Sequence, residues 1–224
     1  MLALLTLLAG LALADDADDG WKAFKAGKFD EAIRLSMPSA LKGDDGSQYT
    51  VAAALEEKDP AKAVPWYEKS AKGGNGYAMY RLGWLYETGR GVKKDLASAA
   101  FWYEQCAPLG ETRCTKSIAF AYVHGTGVKA DPAKAFKWMK LSAEDGTSPQ
   151  SAYSLGLMYG KAHGTKRDMV ESYRWMWVGA KGGHKESKDF VALLDREMSA
   201  VDVEKAKRRA RDFEERRKRA QAAP

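Results

Sequence analysis

The chain has 224 residues, of which 45% are hydrophobic and 29% are charged, and its formal net charge is +6 at pH 7. This composition excludes a multi-span membrane protein, a disordered tail and a collagen-like fibre. Two cysteines are too few for a small fold built on disulfides, and with only three histidines they leave little for a transition-metal site.

The first fourteen residues form an uncharged apolar run that ends just before Asp15. A helix needs about 20 apolar residues to span a bilayer, so this run is too short to do so. The run and the small residues Ala12 and Ala14 at its end are typical of a cleaved secretory signal, although no Lys or Arg precedes them. We therefore expect residues 1–14 to be a signal peptide and the mature protein to be periplasmic or secreted. The alternative is a buried N-terminal helix.

The mature chain is predicted to begin with a helix pair over residues 15–43. The segment Gly27-Lys28-Phe29-Asp30-Glu31-Ala32-Ile33 resembles the helix junction of a tetratricopeptide repeat.

From residue 44 onward, one sequence pattern recurs along the chain. Three full copies, over 76–110, 112–146 and 149–183, follow one another at steps of 36 and 37 residues. They share a tyrosine, a turn glycine, an aspartate and a tryptophan: Tyr86, Tyr122 and Tyr159; Gly91, Gly127 and Gly164; Asp95, Asp131 and Asp168; Trp102, Trp138 and Trp175. A degenerate copy over 44–74 places Asp59 and Trp66 at 36 residues before Asp95 and Trp102. Repeats of this period indicate stacked helix pairs.

Each full copy is predicted to hold two helices joined by a glycine turn. In the first copy a helix over about 76–87 has apolar residues at helical spacing, and Gly83 lets a neighbouring helix approach closely. The turn Gly89-Arg90-Gly91-Val92 needs glycine for a positive φ. Asp95 is then expected to cap the second helix, as are the aspartates of Asp59-Pro60 and Asp131-Pro132, because proline suits the first helical position. The second helix is expected to bury one stripe, which contains Ala99, Trp102 and Ala107.

This pattern resembles the Sel-1-like repeat family, which is related to the tetratricopeptide repeats. The stretch LGWLYETGRGVKKDLASAAFWYEQCAPLG over 82–110 carries the resemblance and recurs twice in register. The third copy departs from it at Ala162, which replaces the first turn glycine, and at Ser172. The resemblance implies an all-α fold, a right-handed α/α superhelical solenoid of helix hairpins. It also implies that residues 184–224 form closing helices, because the last repeat of such an array needs a polar cap.

The two cysteines lie at the junction between two repeats. Cys106 ends one copy and Cys114 begins the next, at positions where the other repeats have small residues: Ser70 and Ser142, and Ala78 and Ser151. Their spacing is similar to that of secreted, disulfide-bearing Sel-1-like proteins, and secretion favours oxidation. We therefore predict a disulfide between Cys106 and Cys114, with two free buried thiols as the alternative.

The resemblance further implies a partner surface on the first helix of each repeat. With Gly83 as the packing position, the side chains predicted to face this surface are Tyr77, Tyr80, Trp84 and Glu87, then Lys116 and Phe120, then Tyr153 and Leu157. Tyrosine and tryptophan dominate binding hot spots, so an aromatic surface favours a protein or peptide ligand. The alternative is that several of these side chains pack against adjacent helices.

The basic residues are concentrated near the C-terminus. Residues 205–219 hold nine Lys and Arg against three acidic residues, which accounts for the whole net charge of +6. The interleaved Asp212, Glu214 and Glu215 favour a solvated capping helix. Contact with an anionic polymer or membrane of the envelope is the functional alternative. Because export separates the protein from nucleic acid, no nucleic-acid partner is expected.

No catalytic constellation emerges from the sequence. The segment Ser39-Ala40-Leu41-Lys42 matches the S-x-x-K pair of penicillin-recognising enzymes, but the partner motifs S-D-N and K-T-G are absent. The three histidines share no helical face, so we predict neither a metal site nor a cofactor. The sequence therefore predicts a non-catalytic scaffold that binds a protein or peptide in the cell envelope or outside the cell. The alternative, which the resemblance to disulfide-bearing relatives implies, is a penicillin-binding or β-lactamase-like protein.

Overall fold

The computed structural model describes residues 18–222, and the predicted signal peptide over residues 1–14 lies outside this range. Within the described residues all regular secondary structure is helical, as the repeat pattern predicts. None of the helices there combines the length and the apolar character needed to cross a membrane. The chain forms two compact units that divide after Cys114, called unit 1 and unit 2 below.

Unit 1 is a succession of antiparallel helix pairs. Its helices are α1 over residues 18–25, α2 (Phe29–Leu41), α3 (Asp45–Glu56), α4 (Pro60–Lys72), α5 (Gly76–Thr88) and α6 (Leu96–Cys106), after which Ala107–Leu109 form a 3-10 turn. From α2 to α6 each helix packs on the next one along the chain. The core between them is rich in fully buried alanines, such as Ala32, Ala54, Ala63 and Ala78. Such small side chains let the helices approach closely.

Unit 2 is likewise built of helix pairs and ends in two helices outside the repeats. The helices are α7 (Thr112–His124), α8 (Pro132–Glu144), α9 (Pro149–Lys161), α10 (Met169–Lys181), α11 (Lys185–Glu197) and α12 (Ala200–Ala222). Helix α7 begins three residues before the division between the units. The core of unit 2 includes Tyr173, Met176, Leu194 and Ala206, so α11 and α12 both pack against α10.

Two of the three predicted aspartate caps form, and the matching aspartate of the third repeat is a cap as well. Asp95 and Asp131 each accept hydrogen bonds from two backbone N–H groups at the start of α6 and α8, and Asp168 accepts one at the start of α10. The prediction for Asp59 is wrong, because its side chain makes no capping hydrogen bond and instead pairs with Lys62 at 3.3 Å. Pro60 lacks an N–H group, so the start of α4 already has one fewer donor to satisfy.

The turn glycines have the predicted positive φ and also lie against the preceding repeat. Gly91 and Gly164 have φ values of +75° and +73°. A Cβ atom at Gly91 would lie 2.5 Å from the carbonyl carbon of Pro60, and one at Gly164 would overlap the carbonyl oxygen of Pro132. Each turn therefore packs on the first turn of the second helix of the repeat before it, which only a residue without Cβ permits.

In the third repeat an alanine adopts the conformation that the other turns give to glycine. Ala162 ends α9 with a φ of +56°, in the left-handed region, as Gly89 does at the end of α5 with +76°. A residue with Cβ costs about 1–2 kcal/mol in this region, so the substitution Ala162→Gly is expected to raise the free energy of unfolding by about 0.5–1 kcal/mol. Denaturation of the full chain with guanidinium chloride measures this change in the free energy of unfolding. The reverse change, Gly89→Ala, should lower stability, and a destabilised Ala162→Gly variant would contradict the argument.

The predicted tryptophan stripe is only partly correct. Trp138 and Trp175 are buried, whereas Trp66 and Trp102 are partly exposed. In unit 1 the deeply buried aromatic is the next residue, Tyr67 or Tyr103. The ring of Tyr103 occupies the space left by the missing Cβ of Gly83, and its hydroxyl donates a hydrogen bond to Glu87 at 2.7 Å. The glycine thus accommodates a tyrosine of its own repeat.

The two cysteines are joined, as predicted. A disulfide links Cys106 at the end of α6 to Cys114 in the first turn of α7, with Cα atoms 5.8 Å apart and both residues fully buried. By the loop-entropy relation, closing so short a loop contributes about 2–3 kcal/mol to stability. The bond fixes the start of α7 against the end of α6.

Candidate functional site

The predicted partner residues of unit 1 lie on one face of α5. Tyr77 is 57% exposed, Tyr80 and Trp84 are half-buried, and Glu87 is exposed. Their spacing of three or four residues places them on the same side of the helix, opposite the buried Leu82. Three large rings, of which that of Tyr77 is the most exposed, therefore run along one side of α5.

Two further aromatic rings extend this face onto the neighbouring helices. The ring centroids of Tyr49 and Tyr77 are 6.1 Å apart, and those of Tyr49 and Trp21 are also 6.1 Å apart. Together with Thr50 and Arg113 these residues line a cleft of about 640 Å³ in unit 1. A cleft of this size can hold a bulky side chain or a short peptide segment. Tyr49, Tyr77, Tyr80 and Trp84 are called the aromatic face below.

Sequence reasoning missed Tyr49 because the degenerate repeat is shorter than the others. The side chain of Asp44 caps α3 and that of Asn75 caps α5, and these two positions are 31 residues apart, not 36. Counted from the caps, Tyr49 and Tyr80 occupy the same helical position. The spacing of the capping residues Asp44 and Asn75 would have matched Tyr49 with Tyr80. Aligning the repeats on Asp59 and Asp95 instead placed the two tyrosines out of register.

Arginine side chains cover the edges of the aromatic face. The guanidinium of Arg113 lies 4.2 Å from the ring centroid of Tyr80, and that of Arg81 lies 4.7 Å from the ring of Trp84. Arg113 also donates two hydrogen bonds to Glu111, at 2.7 and 2.9 Å, which hold the pKa of that carboxyl below its usual value. The face thus combines π surfaces with guanidinium groups that stack on the rings and are already paired with carboxylates of this chain.

The buried carboxylate of Glu56 holds the guanidinium of Arg81 in place. Glu56 at the end of α3 is only 2% exposed, and it accepts hydrogen bonds from the hydroxyl of Tyr67 at 2.8 Å and from Nε of Arg81 at 3.1 Å. A second guanidinium nitrogen of Arg81 also pairs with it. Burial and the neighbouring carboxylate raise the pKa of Tyr67 far above its ordinary value, so this hydroxyl stays a donor. Glu56, which Tyr67 holds in place, therefore fixes the guanidinium of Arg81 beside the ring of Trp84.

The predicted residues of unit 2 have separate environments. Phe120 and Leu157 line a cavity of about 330 Å³ between helices of this unit. Tyr153 is half-buried, with its ring stacked 4.5 Å from His184 and edge-on to Phe190. This is the packing against an adjacent helix that the sequence left open. Lys116 is exposed on α7 and does not line the cavity.

The residues considered for catalysis are not arranged for it. Ser39 is buried at the end of α2, whereas Lys42 is exposed beyond it, so this serine is not open to a substrate. In the described part of the chain, no group of three or more His, Cys, Asp or Glu side chains is placed to hold a metal ion.

The basic C-terminal segment forms most of α12. Its buried side consists of Ala206, Ala210 and Phe213. Two of its cations pair with other helices of unit 2: Lys207 with Asp195 at 3.4 Å, and Arg209 with Glu171 at 2.7 Å. Part of the positive charge therefore anchors α12, while side chains such as Lys205 and Arg208 are exposed.

Comparison with protein families identifies the repeat. The family model for the Sel1 repeat matches residues 55–75, 76–110, 118–147 and 149–184, which together make up more than half of the chain. No curated protein matches the sequence.

Solved structures share the fold. A Sel1 repeat protein from Oxalobacter formigenes superposes with a TM-score of 0.73 at 26% identity, over 80% of this chain and 75% of that chain. A protective antigen of uropathogenic Escherichia coli strains, which has an SLR fold, gives 0.52 at 23% identity, over 87% of this chain and 51% of that chain. A putative Sel1 repeat protein from Klebsiella pneumoniae subsp. pneumoniae gives 0.51 at 16% identity, over 84% and 96%. These structures confirm the predicted all-α, Sel-1-like solenoid fold.

Proposed function

Because the chain belongs to the Sel1 repeat family, which generally mediates protein–protein interaction, we propose that it is a non-catalytic scaffold that captures a protein or peptide partner. The observation that carries the proposal is the aromatic face of unit 1, which Arg81 and Arg113 border. The ring of Tyr77 is exposed to water in the free protein, so covering it in a complex would contribute favourable burial of apolar surface.

The chemistry of this face favours an extended peptide segment with apolar side chains. Tyrosine and tryptophan offer large contact areas with few rotatable bonds, so ordering them on binding costs little entropy. The cleft beside Tyr49 and Tyr77 accepts a side chain, and its lining adds the charged groups of Arg113, Asp18 and Asp44. Rings at the centre and charges at the rim are the usual composition of a binding hot spot.

We further propose that the protein works in the cell envelope or outside the cell. The apolar run over residues 1–14 and the disulfide between Cys106 and Cys114 support export, because disulfides persist in oxidising compartments. In that setting the exposed cations of α12, such as Lys205 and Arg208, would meet anionic envelope polymer.

The double substitution Tyr80→Ala/Trp84→Ala tests the aromatic face. Hot-spot aromatics contribute about 2 kcal/mol or more each to binding, so partner capture from an envelope extract should fall by at least about 30-fold. Quantitative mass spectrometry of the captured proteins measures this loss, and circular dichroism checks that helicity is retained.

Two further variants make the test specific. Tyr77→Ala removes the most exposed ring, which contributes least to packing, and should also weaken capture. Phe101→Ala removes a ring of comparable exposure on α6, outside the aromatic face, and should leave capture unchanged. Equal capture by wild type and by both face variants would remove this surface from consideration.

A further inference from the structure

The cavity of unit 2 has an apolar interior. Its walls come from α7, α8, α9 and the turn after α9, and five of its ten lining residues, which provide most of the lining surface, are hydrophobic: Phe120, Val123, Met139, Leu157 and Met158. Met139 and Met158 are buried, so they form the deep part of the cavity. Its volume of about 330 Å³ lies at the lower end of the range for ligand sites, which suits a compact molecule.

The solvent side of the same cavity is basic. Its lining includes Lys161, His124 and His163, all three exposed, and it includes no aspartate or glutamate. Lys161 forms no ion pair with any residue in the range 18–222. A lysine carries three N–H donors, and a histidine ring carries at least one in either tautomer. The entrance therefore offers several donors and the charge of Lys161, with no carboxylate among the residues that line the cavity.

We propose that this pocket binds a small organic acid whose compact apolar body fills the interior and whose carboxylate meets Lys161 at the entrance. The apolar interior excludes an ion without a hydrophobic part, and the basic entrance favours an anion over a neutral or cationic molecule of the same shape. A free acid and the C-terminal residue of a peptide both carry this chemistry. The site is separate from the aromatic face and does not depend on the proposed function.

Three isosteric probes test the charge preference: 4-phenylbutyrate, 4-phenylbutanol and 4-phenylbutylamine. With the full chain labelled at the methionine methyl groups, NMR titration should show shifts at Met139 and Met158 and none at Met79, which lies in unit 1. The acid should bind about threefold or more tightly than the alcohol, and the amine should bind least. Equal affinities for acid and alcohol, or shifts at Met79 as large as those at Met139, would overturn the proposal.

A matched pair of lysine substitutions isolates the group that meets the carboxylate. Lys161→Met keeps the length of the side chain but removes its charge, so affinity for phenylbutyrate should fall about threefold while affinity for the alcohol stays the same. Lys116→Met removes an exposed lysine that does not line the cavity and should change neither affinity. Unchanged binding of the acid by Lys161→Met contradicts the assignment.

The source of the acid is distinguished by a pentapeptide that ends in phenylalanine. Binding of the peptide with a free C-terminus, at least as tight as that of phenylbutyrate and lost on amidation, assigns the site to a chain terminus. Weaker binding of the peptide assigns it to a free acid.

Discussion

Replacement of Glu56 by alanine is expected to lower the free energy of unfolding by about 3 kcal/mol. The carboxylate is almost fully buried and accepts hydrogen bonds from Tyr67 and Arg81. Removing one partner of a buried ion pair is costly because it leaves the other charge, here the guanidinium of Arg81, partly buried without a counter-charge. The hydroxyl of Tyr67 also loses its acceptor. Denaturation of the full chain, followed by circular dichroism, gives the change.

The neighbouring residue provides a matched control. Glu57 is exposed and comes directly after Glu56, so Glu57→Ala should change stability by no more than about 0.5 kcal/mol. The double variant Glu56→Ala/Arg81→Met should cost less than the sum of its single substitutions, because it leaves no stranded guanidinium. Additive effects, or a Glu56→Ala variant as stable as Glu57→Ala, would show that the buried network contributes little.

The substitution Gly164→Ala is expected to destabilise the protein by about 2–5 kcal/mol. Alanine is strained at the φ of +73°, and its Cβ would overlap the carbonyl oxygen of Pro132 and lie 2.9 Å from Cβ of Phe136. The obstacle is backbone at the start of α8, which cannot turn aside as a flexible side chain can. The turn after α9 must therefore separate from α8. The shift in the denaturation midpoint measures this cost.

The strain of a positive φ and the contact with α8 can be separated at Gly183. This residue also has a positive φ, but it does not lie against another helix. Its φ is +94°, and a Cβ atom there would meet nothing within 4 Å. Gly183→Ala should therefore cost only the strain, about 1–2 kcal/mol. If Gly164→Ala and Gly183→Ala lower stability by the same amount, the contact of Gly164 with Pro132 does not explain why this position needs glycine.

Much of the local structure was readable from the sequence because it depends on neighbouring residues. The recurrence of Asp95, Asp131 and Asp168 located helix starts, since a short acidic side chain satisfies backbone donors within its own turn. The disulfide followed from the positions of Cys106 and Cys114 in the repeat and from the resemblance to secreted relatives. These features need no knowledge of distant parts of the chain.

The composition of the candidate site was less accessible. The sequence identified Tyr77, Tyr80 and Trp84, but Trp21 and Tyr49 join them through packing between helices that a shortened repeat places out of register. The role of Glu56 was also missed, because an isolated glutamate at a helix end is ordinarily a solvated residue. Its burial arises only when α4 and α5 bring Tyr67 and Arg81 onto it.

The sequence by itself determined the helical repeats, their caps, their turns and the family, because periodicity and capping are properties of short stretches of chain. Tertiary structure alone decided which aromatic of each second helix is buried, which basic groups remain unpaired, and where clefts open. In unit 1 the missing Cβ of Gly83 admits the ring of Tyr103, so Trp102 stays partly exposed. Such outcomes depend on the space that neighbouring helices leave to one another, and no single helix specifies that space.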